Sequence, residues 1–270
     1  MSRSGEAILS LNRIGVTATS GRRLLRELTF CLQRGEAIGV TGESGSGKTT
    51  LLKAVMGVLG KGCAIDGGSI QLEGRDLGAL APAERRQVAG RWIGFVPQLP
   101  MTAFDSRLNV GSQIQAIFRK RLGLNRSEAA ELARAKLEQV NLPDYERVMA
   151  SRPGALSGGM LQRAAIAILL GLNPPYILAD EPTSALDPDN REAVIKLLQE
   201  FKLTSGLLIV SHDTEVLGRI CDQVQVLYDG ELVEQGSMKE LLDRPQHMWT
   251  AQFACSAAQQ EEGCWLWEKY

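Results

Sequence analysis

Apolar and polar residues alternate along the first stretch of the chain, roughly Ala7 to Gln33: Ile8, Leu11, Ile14 and Val16, then Leu28, Phe30 and Leu32. A period of two marks half-exposed strands, and the pattern predicts antiparallel ones. After Gly35 the run EAIGVTG, with Ile38 and Val40, reads as a buried strand that ends in glycines. KTTLLKAVMGVL follows with the apolar spacing of a helix. A polar, glycine-rich connector from Lys61 to Ser69 leads to a short strand at Ile70 to Leu72, and Trp92 to Val96 reads as the next strand.

From about Pro100 to Val148 the texture changes. Arg107 to Arg121 and Ser127 to Val140 are amphipathic helical patterns, with Ser127 the expected N-cap and Glu128 in the first turn. Strand and helix then alternate: helix Met160 to Leu170, strand Tyr176 to Ala179, helix Arg191 to Leu203, strand Leu207 to Val210. Such alternation implies parallel strands joined by crossover helices, an α/β fold. Val224 to Tyr228 and Glu231 to Val233 flank Asp229-Gly230, a hairpin signal with a two-residue turn. Ser237-Met238-Lys239-Glu240 is a capping box opening a short helix.

Composition narrows the class. Apolar residues make up 44% of the 270 and charged residues 23%, the balance of a globular protein. Thirty basic side chains against 31 acidic ones leave a formal charge of −1, which argues against a general nucleic-acid binder. The longest strongly apolar run, Ala164 to Leu172, falls well short of the roughly 20 residues of a spanning helix, and MSRSGEAILSLNR shows no secretory signal. Five scattered cysteines without a C-x-x-C pair read as isolated thiols in a reducing compartment. Cys255 and Cys264 could share a metal, but two ligands do not close a site.

The chemistry is concentrated in a few segments. Gly42-Glu43-Ser44-Gly45-Ser46-Gly47-Lys48-Thr49 fits G-x-x-x-x-G-K-[ST] in full, between an expected strand and an expected helix. The glycines let backbone N–H groups wrap around phosphates in dihedrals that side chains forbid, and the helix N-terminus adds positive potential. Lys48 would reach the β- and γ-phosphates of a nucleotide, and the Thr49 hydroxyl would bind Mg²⁺. Tyr176-Ile177-Leu178-Ala179-Asp180-Glu181 is a buried strand running into two carboxylates. Asp180 is placed for the Mg²⁺ shell and Glu181 to polarise an attacking water. These segments together point to a Mg-nucleotide hydrolase.

Further segments carry a resemblance. Leu156-Ser157-Gly158-Gly159-Met160, followed by Gln162-Arg163, resembles the LSGGQ signature loop of ABC ATPases. Gln98 after Val96-Pro97 resembles the Q-loop, Ser184-Ala185-Leu186-Asp187 the D-loop, and His212 the switch histidine. Order and spacing match the ABC nucleotide-binding domain over roughly residues 7–245. The resemblance implies a P-loop NTPase (RecA-like) core over 1–98 and 160–245, with an antiparallel β subdomain. A helical subdomain would be inserted at about 99–159, and 246–270 would be a short C-terminal extension. ATP and Mg²⁺ are the implied cofactors. Gly42 through Thr50, with Gln98, would contact the nucleotide, and Thr49, Gln98 and Asp180 the metal. Glu181, His212 and Lys48 would carry catalysis. Ser157, Gly158 and Gly159 would cap the γ-phosphate bound to an opposing subunit.

Departures from the family pattern carry expectations too. Met160 stands where the family usually has Gln, with the Ser and Gly contacts retained. No aromatic precedes Phe30, so the family's adenine-stacking aromatic, near Ala18, is absent. Because such a stack contributes on the order of 1–3 kcal/mol, modest ATP affinity or looser base selectivity is expected. SGGMLQRAAIAILL and ILADEPTSALD resemble the ATPase subunits of bacterial peptide/nickel-type importers. So does VPQLPMTAF, although Asp105-Ser106 departs from that group's Asn-Pro. The ending Pro245-Gln246-His247-Met248-Trp249-Thr250 is also similar to that group. With only Cys255 and Cys264 beyond it, no iron–sulfur cluster is expected, and the shorter form looks more like nickel and metallophore importers. The implied partners are two multi-spanning permease subunits, a second paralogous ATPase or another copy of this chain, and indirectly an extracytoplasmic substrate-binding protein. The implied location is peripheral, on the cytoplasmic face of the inner membrane, with no nucleic acid bound. A short coupling helix from a permease would meet the region from Gln98 to Val110. The closing residues CWLWEKY read as a frayed tail or an apolar docking strip. The competing reading is a soluble ABC ATPase acting on DNA or ribosomes, against which stand a single cassette and near-neutral charge.

Overall fold

The computed structural model describes residues 8–263 apart from Pro143 and Ala185. Strands β1 (Ile8–Ala18) and β2 (Arg23–Gln33) pair antiparallel, as their alternation predicts, with Leu9 opposite Leu32 and Leu11 opposite Phe30. β3 (Ala37–Gly42) is buried at every residue. Helix α1 (Lys48–Met56) follows the glycine-rich loop and stops at Gly57, whose φ of 68° is left-handed, so the apolar spacing that continues to Leu59 does not stay helical.

The glycine-rich connector expected at 61–69 is for the most part a strand. β4 (Cys63–Leu72) pairs with β1 along its length, Cys63 opposite Ala18 and Gly67 opposite Gly15. Only Ile70 and Leu72 are fully buried in it; Cys63 and Ile65 are half-buried against the same core, and the exposed run Asp66, Gly67 and Gly68 interrupts the pattern in the sequence. β5 (Arg75–Asp76) completes a sheet of order β2-β1-β4-β5. Helix α2 (Pro82–Trp92) has no counterpart in the pattern, because Ala89 is its sole buried residue. It takes Trp92, and β6 (Ile93–Val96) starts one residue later than expected.

Four helices come next: α3 (Val110–Leu122), α4 (Arg126–Gln139), α5 (Tyr145–Ala150) and α6 (Gly158–Leu172). The N-cap of α4 is Asn125 rather than Ser127. Its side-chain oxygen accepts from the amides of Ser127 at 2.9 Å and Glu128 at 3.0 Å, while Glu128 accepts from the Asn125 amide at 2.8 Å. Asn caps at least as well as Ser, and here it closes the reciprocal box two residues earlier. The chain then alternates through β7 (Tyr176–Asp180), α7 (Pro188–Lys202), β8 (Gly206–Val210), α8 (Thr214–Ile220) and β9 (Gln223–Tyr228). β10 (Glu231–Gly236), α9 (Met238–Asp243) and α10 (Met248–Gly263) complete it. Asp229 and Gly230, at φ 44° and 81°, make the two-residue turn between β9 and β10, and Ser237 and Glu240 form the capping box of α9.

The main sheet has the order β10-β9-β3-β8-β7-β6, parallel except for the antiparallel edge strand β10. Alternate residues of its strands feed two cores. Ile38, Val40, Tyr176, Leu178, Leu208 and Val210 pack with α1 and the antiparallel sheet. Ile177, Ala179, Leu207 and Ile209 pack under the helical layer that includes α6, α7 and α8. A large side chain buried from either face contributes about 1.5–3 kcal/mol, so a one-residue slip of a central strand, which exchanges the two sets, is strongly disfavoured. The carboxyl ends of β3, β7 and β8 meet at one edge, where ligands of open α/β sheets bind.

The end of the described chain is docked. The Glu234 carboxylate accepts from the amides of Gln246 at 2.8 Å and His247 at 3.0 Å, and the His247 ring lies 4.9 Å from that of Tyr228. Trp249 and Phe253 stack at 5.1 Å and pack against the helical-side core. Residues 264–270, with Cys264 and the expected tail, lie outside the described residues.

Candidate nucleotide site

The loop after β3 has glycines where no side chain fits. At Gly42, with φ 149°, a Cβ would stand 1.9 Å from the Leu227 carbonyl oxygen; at Gly47, with φ 109°, it would stand 2.6 Å from that of Leu24. The loop is tied on both sides. The Ser46 carbonyl accepts from the Gly230 amide at 3.0 Å, and the Gly230 carbonyl accepts from the Arg26 amide at 2.7 Å. The β9–β10 turn thus bridges the loop and β2.

Lys48 opens α1, and its Nζ donates to the carbonyls of Gly42 at 2.7 Å and Glu43 at 2.8 Å. Burial lowers its pKa, against the opposing pull of the Glu181, Asp180 and Glu43 charges. Thr49 donates from Oγ1 to Oδ2 of Asp180 at 3.2 Å. Burial raises the Asp180 carboxyl; the Thr49 hydrogen bond opposes this, and the Glu181 charge adds to it.

Glu181 has a left-handed φ of 47°, and its amide crosses to the Val210 carbonyl at 2.8 Å. Its Oε1 lies 2.9 Å from Nδ1 of His212, and its Oε2 accepts from the Ser211 hydroxyl at 3.3 Å. A cleft of about 410 Å³ opens here, lined by Gly42, Ser44, Gly45, Gly47, Lys48, Thr49 and Thr50 together with Gln98, Asp180, Glu181 and His212. Leu24 and Val210 are its apolar side chains, and no aromatic side chain among the described residues lines it. The remaining loop residues behave differently: Ser46 is buried, and Glu43 presents its carbonyl to Lys48. A concavity of similar size, about 430 Å³, sits on the antiparallel sheet around Arg13 and Asp66, but Arg13 is already paired with Glu27 there and no phosphate-type loop adjoins it.

The expected signature residues are not part of this cleft. Ser157 caps α6, its Oγ accepting from the Met160 amide at 3.2 Å, and Gly158 and Gly159 begin the helix. Gly159 is buried where a Cβ would meet the Asn190 side chain at 3.0 Å, and Asn190 donates to Asp187, the N-cap of α7. Gln162, one turn on, donates to the Pro182 carbonyl at 3.1 Å. The signature helix therefore rests on the segment that follows Glu181. Ser211 and Leu24 are contributors that the sequence pattern does not single out. Ser211 directly precedes His212 at the end of a buried strand, but its contact with Glu181 is set by how β7 and β8 register and not by that position alone.

The residues fit a hard divalent cation. Thr49 and Asp180 bring two oxygen donors into contact, Gln98 adds an amide oxygen to the same cleft, and the buried carboxyl with its raised pKa is one that a cation would relieve. Among the described residues there is no group of three or more His, Cys, Asp or Glu that could hold a metal ion.

A profile described as ABC transporter matches residues 25–184. The chain is 33% identical over 251 residues to a dipeptide transport ATP-binding protein, DppD, of Lactococcus lactis subsp. cremoris, spanning 91% of this chain and 72% of that one. It is 38% identical over 234 residues to a putative peptide import ATP-binding protein of Brucella abortus, spanning 84% and 69%. It is also 36% identical to the glutathione import ATP-binding protein GsiA of Escherichia coli, spanning 84% of this chain and 38% of GsiA. Among solved structures, the dimeric post-hydrolysis state of the ATP-binding cassette MJ0796 bound to ADP and Pi superposes with a TM-score of 0.75 at 28% identity, covering 85% of this chain and 98% of that one. The cbiO1 subunit of the cbiONQ transporter complex from Clostridium perfringens gives 0.76 at 23% identity, covering 97% and 96%. With a profile match over more than half its length and relatives this similar, the chain belongs to the ABC transporter family and is one of its ATP-binding, ATP-hydrolysing subunits.

Proposed function

We propose that this chain powers a bacterial importer, with ATP-driven closure of two nucleotide-binding subunits doing the work. The observation that carries the reading is Glu181, held between His212 and Ser211 at the rim of the cleft that contains Lys48, Thr49 and Asp180. The loop amides from Gly42 to Thr50 receive the phosphates, and Lys48 turns from its two carbonyls to the β- and γ-phosphates. Thr49, Asp180 and Gln98 would hold Mg²⁺, which would supply charge neutralisation on the phosphate oxygens. Glu181 orients and polarises the attacking water, and His212 holds Glu181 and the γ-phosphate in register. Ser157, Gly158 and Gly159 act across the interface, capping the nucleotide held by a second ATPase, either a paralogue or another copy of this chain.

In this reading residues 1–245 are the ATPase unit, with its helical insert at about 99–159, and 246–270 are an extension. No helix among the described residues is long and apolar enough to cross a membrane, so two multi-spanning permease subunits would form the path. The chain would sit against them on the cytoplasmic face of the inner membrane, with an extracytoplasmic binding protein delivering substrate. The relatives are named for peptides and glutathione, which favours peptide import over the nickel or metal-chelate cargo of similar short forms.

The test is co-purification of tagged Glu181→Gln chain from detergent-solubilised source cells with ATP present. Recovery of two multi-spanning proteins and a second ATPase supports the importer; recovery of ribosomes or DNA-bound proteins instead moves the chain to the soluble class.

A further inference from the structure

Ser211 is fully buried between the end of β8 and His212. Its hydroxyl has two partners in opposite roles: Oγ accepts from the Asp213 amide at 3.1 Å and donates to Oε2 of Glu181 at 3.3 Å. A hydroxyl has one proton, and with the amide engaging its lone pair that proton is aimed at the carboxylate. The amide is itself on fixed ground. Asp213 caps α8 through the amides of Glu215 at 3.0 Å and Val216 at 3.2 Å, and Arg191 of α7 donates to its Oδ2 at 2.7 Å.

The two oxygens of Glu181 are therefore held from different sides. His212, at Oε1, is 71% exposed in its side chain, whereas Ser211, at Oε2, has no exposure. The last torsion of a glutamate side chain is broad and nearly free, so one partner leaves the carboxylate plane undetermined and two define it. An exposed ring can swing away as the cleft opens; a buried hydroxyl anchored to backbone stays.

We infer that Ser211 is a positioning residue for hydrolysis: its hydroxyl fixes the plane of the Glu181 carboxylate, so that one set of lone pairs meets the attacking water even when His212 moves. The inference rests on the reading of Glu181 as the activating carboxylate.

The experiment compares Ser211→Thr with Ser211→Val in the full chain, two side chains of the same shape that differ by the hydroxyl. Ser211→Ala, which adds no volume, covers the case in which both larger residues disturb the fold. In the valine and alanine variants kcat for ATP should fall on the order of 10- to 100-fold, the cost of a misplaced reacting group, with KM and nucleotide affinity within about twofold. Threonine should keep kcat within about threefold of the parent. In a Glu181→Gln background, adding Ser211→Val should change the residual rate less than about twofold, because the serine acts through that carboxylate. Equal kcat in the alanine variant and the parent, equal loss in threonine and valine, or a full further loss in the Glu181→Gln background would each overturn the inference. Survival of turnover in Glu181→Gln alone would instead overturn the reading of Glu181.

Discussion

Nδ1 of His212 stands 2.9 Å from Oε1 of Glu181, joining a side chain that is 71% exposed to one that is 12% exposed. A carboxylate only accepts, so the ring nitrogen is the donor and the other nitrogen is left for a second partner. Strand register makes the pair. β7 and β8 run parallel with Asp180 opposite Val210, so the residues that follow, Glu181 on one strand and Ser211-His212 on the other, leave the sheet side by side.

That pairing predicts the behaviour of His212→Ala. Losing one positioned donor at a reacting centre costs on the order of 100-fold in kcat. Nucleotide affinity should stay within about threefold, because the loop and Lys48 are untouched. Steady-state hydrolysis alongside equilibrium binding of a fluorescent ATP analogue separates the two; an equal drop in affinity and turnover would make His212 a binding residue only.

Gly42→Ala should be poorly tolerated for a reason unrelated to phosphate. At its φ of 149° an added Cβ would stand 1.9 Å from the Leu227 carbonyl oxygen, which leaves a side chain no room without separating β3 from β9. Backbone strain of order 1–3 kcal/mol adds to that clash, so a fall of several degrees in Tm or loss of soluble protein is expected. Gly45, with φ 83° and open space around it, should show only the strain. Parallel thermal melts of the two alanine variants check the order, and equal Tm values would remove the packing argument.

The cysteines should separate by reactivity. Burial pushes the Cys221 thiol up to about 12, the Lys202 charge opposing and the Asp222 charge assisting. At pH 8 about one part in 10⁴ is then thiolate, the species that reacts. Cys255 is exposed. Maleimide labelling of the folded chain followed by peptide mass mapping should mark Cys255 and spare Cys221 until denaturant is added; native labelling of both at similar rates would contradict this.

What could be read from sequence follows from what each element buries. β3, β7 and β8 are short, wholly buried parallel strands, so Ile38 to Val40, Tyr176 to Ala179 and Leu207 to Val210 stand out as apolar runs. β4 carries exposed Asp66, Gly67 and Gly68 in its middle, and α2 buries Ala89 alone, so neither leaves a periodic trace. The cleft was legible where its residues belong to fixed local spacings, as Lys48, Thr49, Asp180 and Glu181 do. Ser211 was not, because its contact depends on how β7 registers against β8, a relation between segments that no single-segment pattern contains.

The Asp229-Gly230 turn, clamped between the Ser46 carbonyl and the Arg26 amide, has a thermodynamic consequence. The glycine-rich loop is shaped by neighbours that are already in place, so the entropy of ordering it is lost in folding rather than at each binding event. A nucleotide received there, as proposed above, would exchange through a receptacle that need not melt and reform, and the recurring work of a turnover cycle would be left to the parts around it.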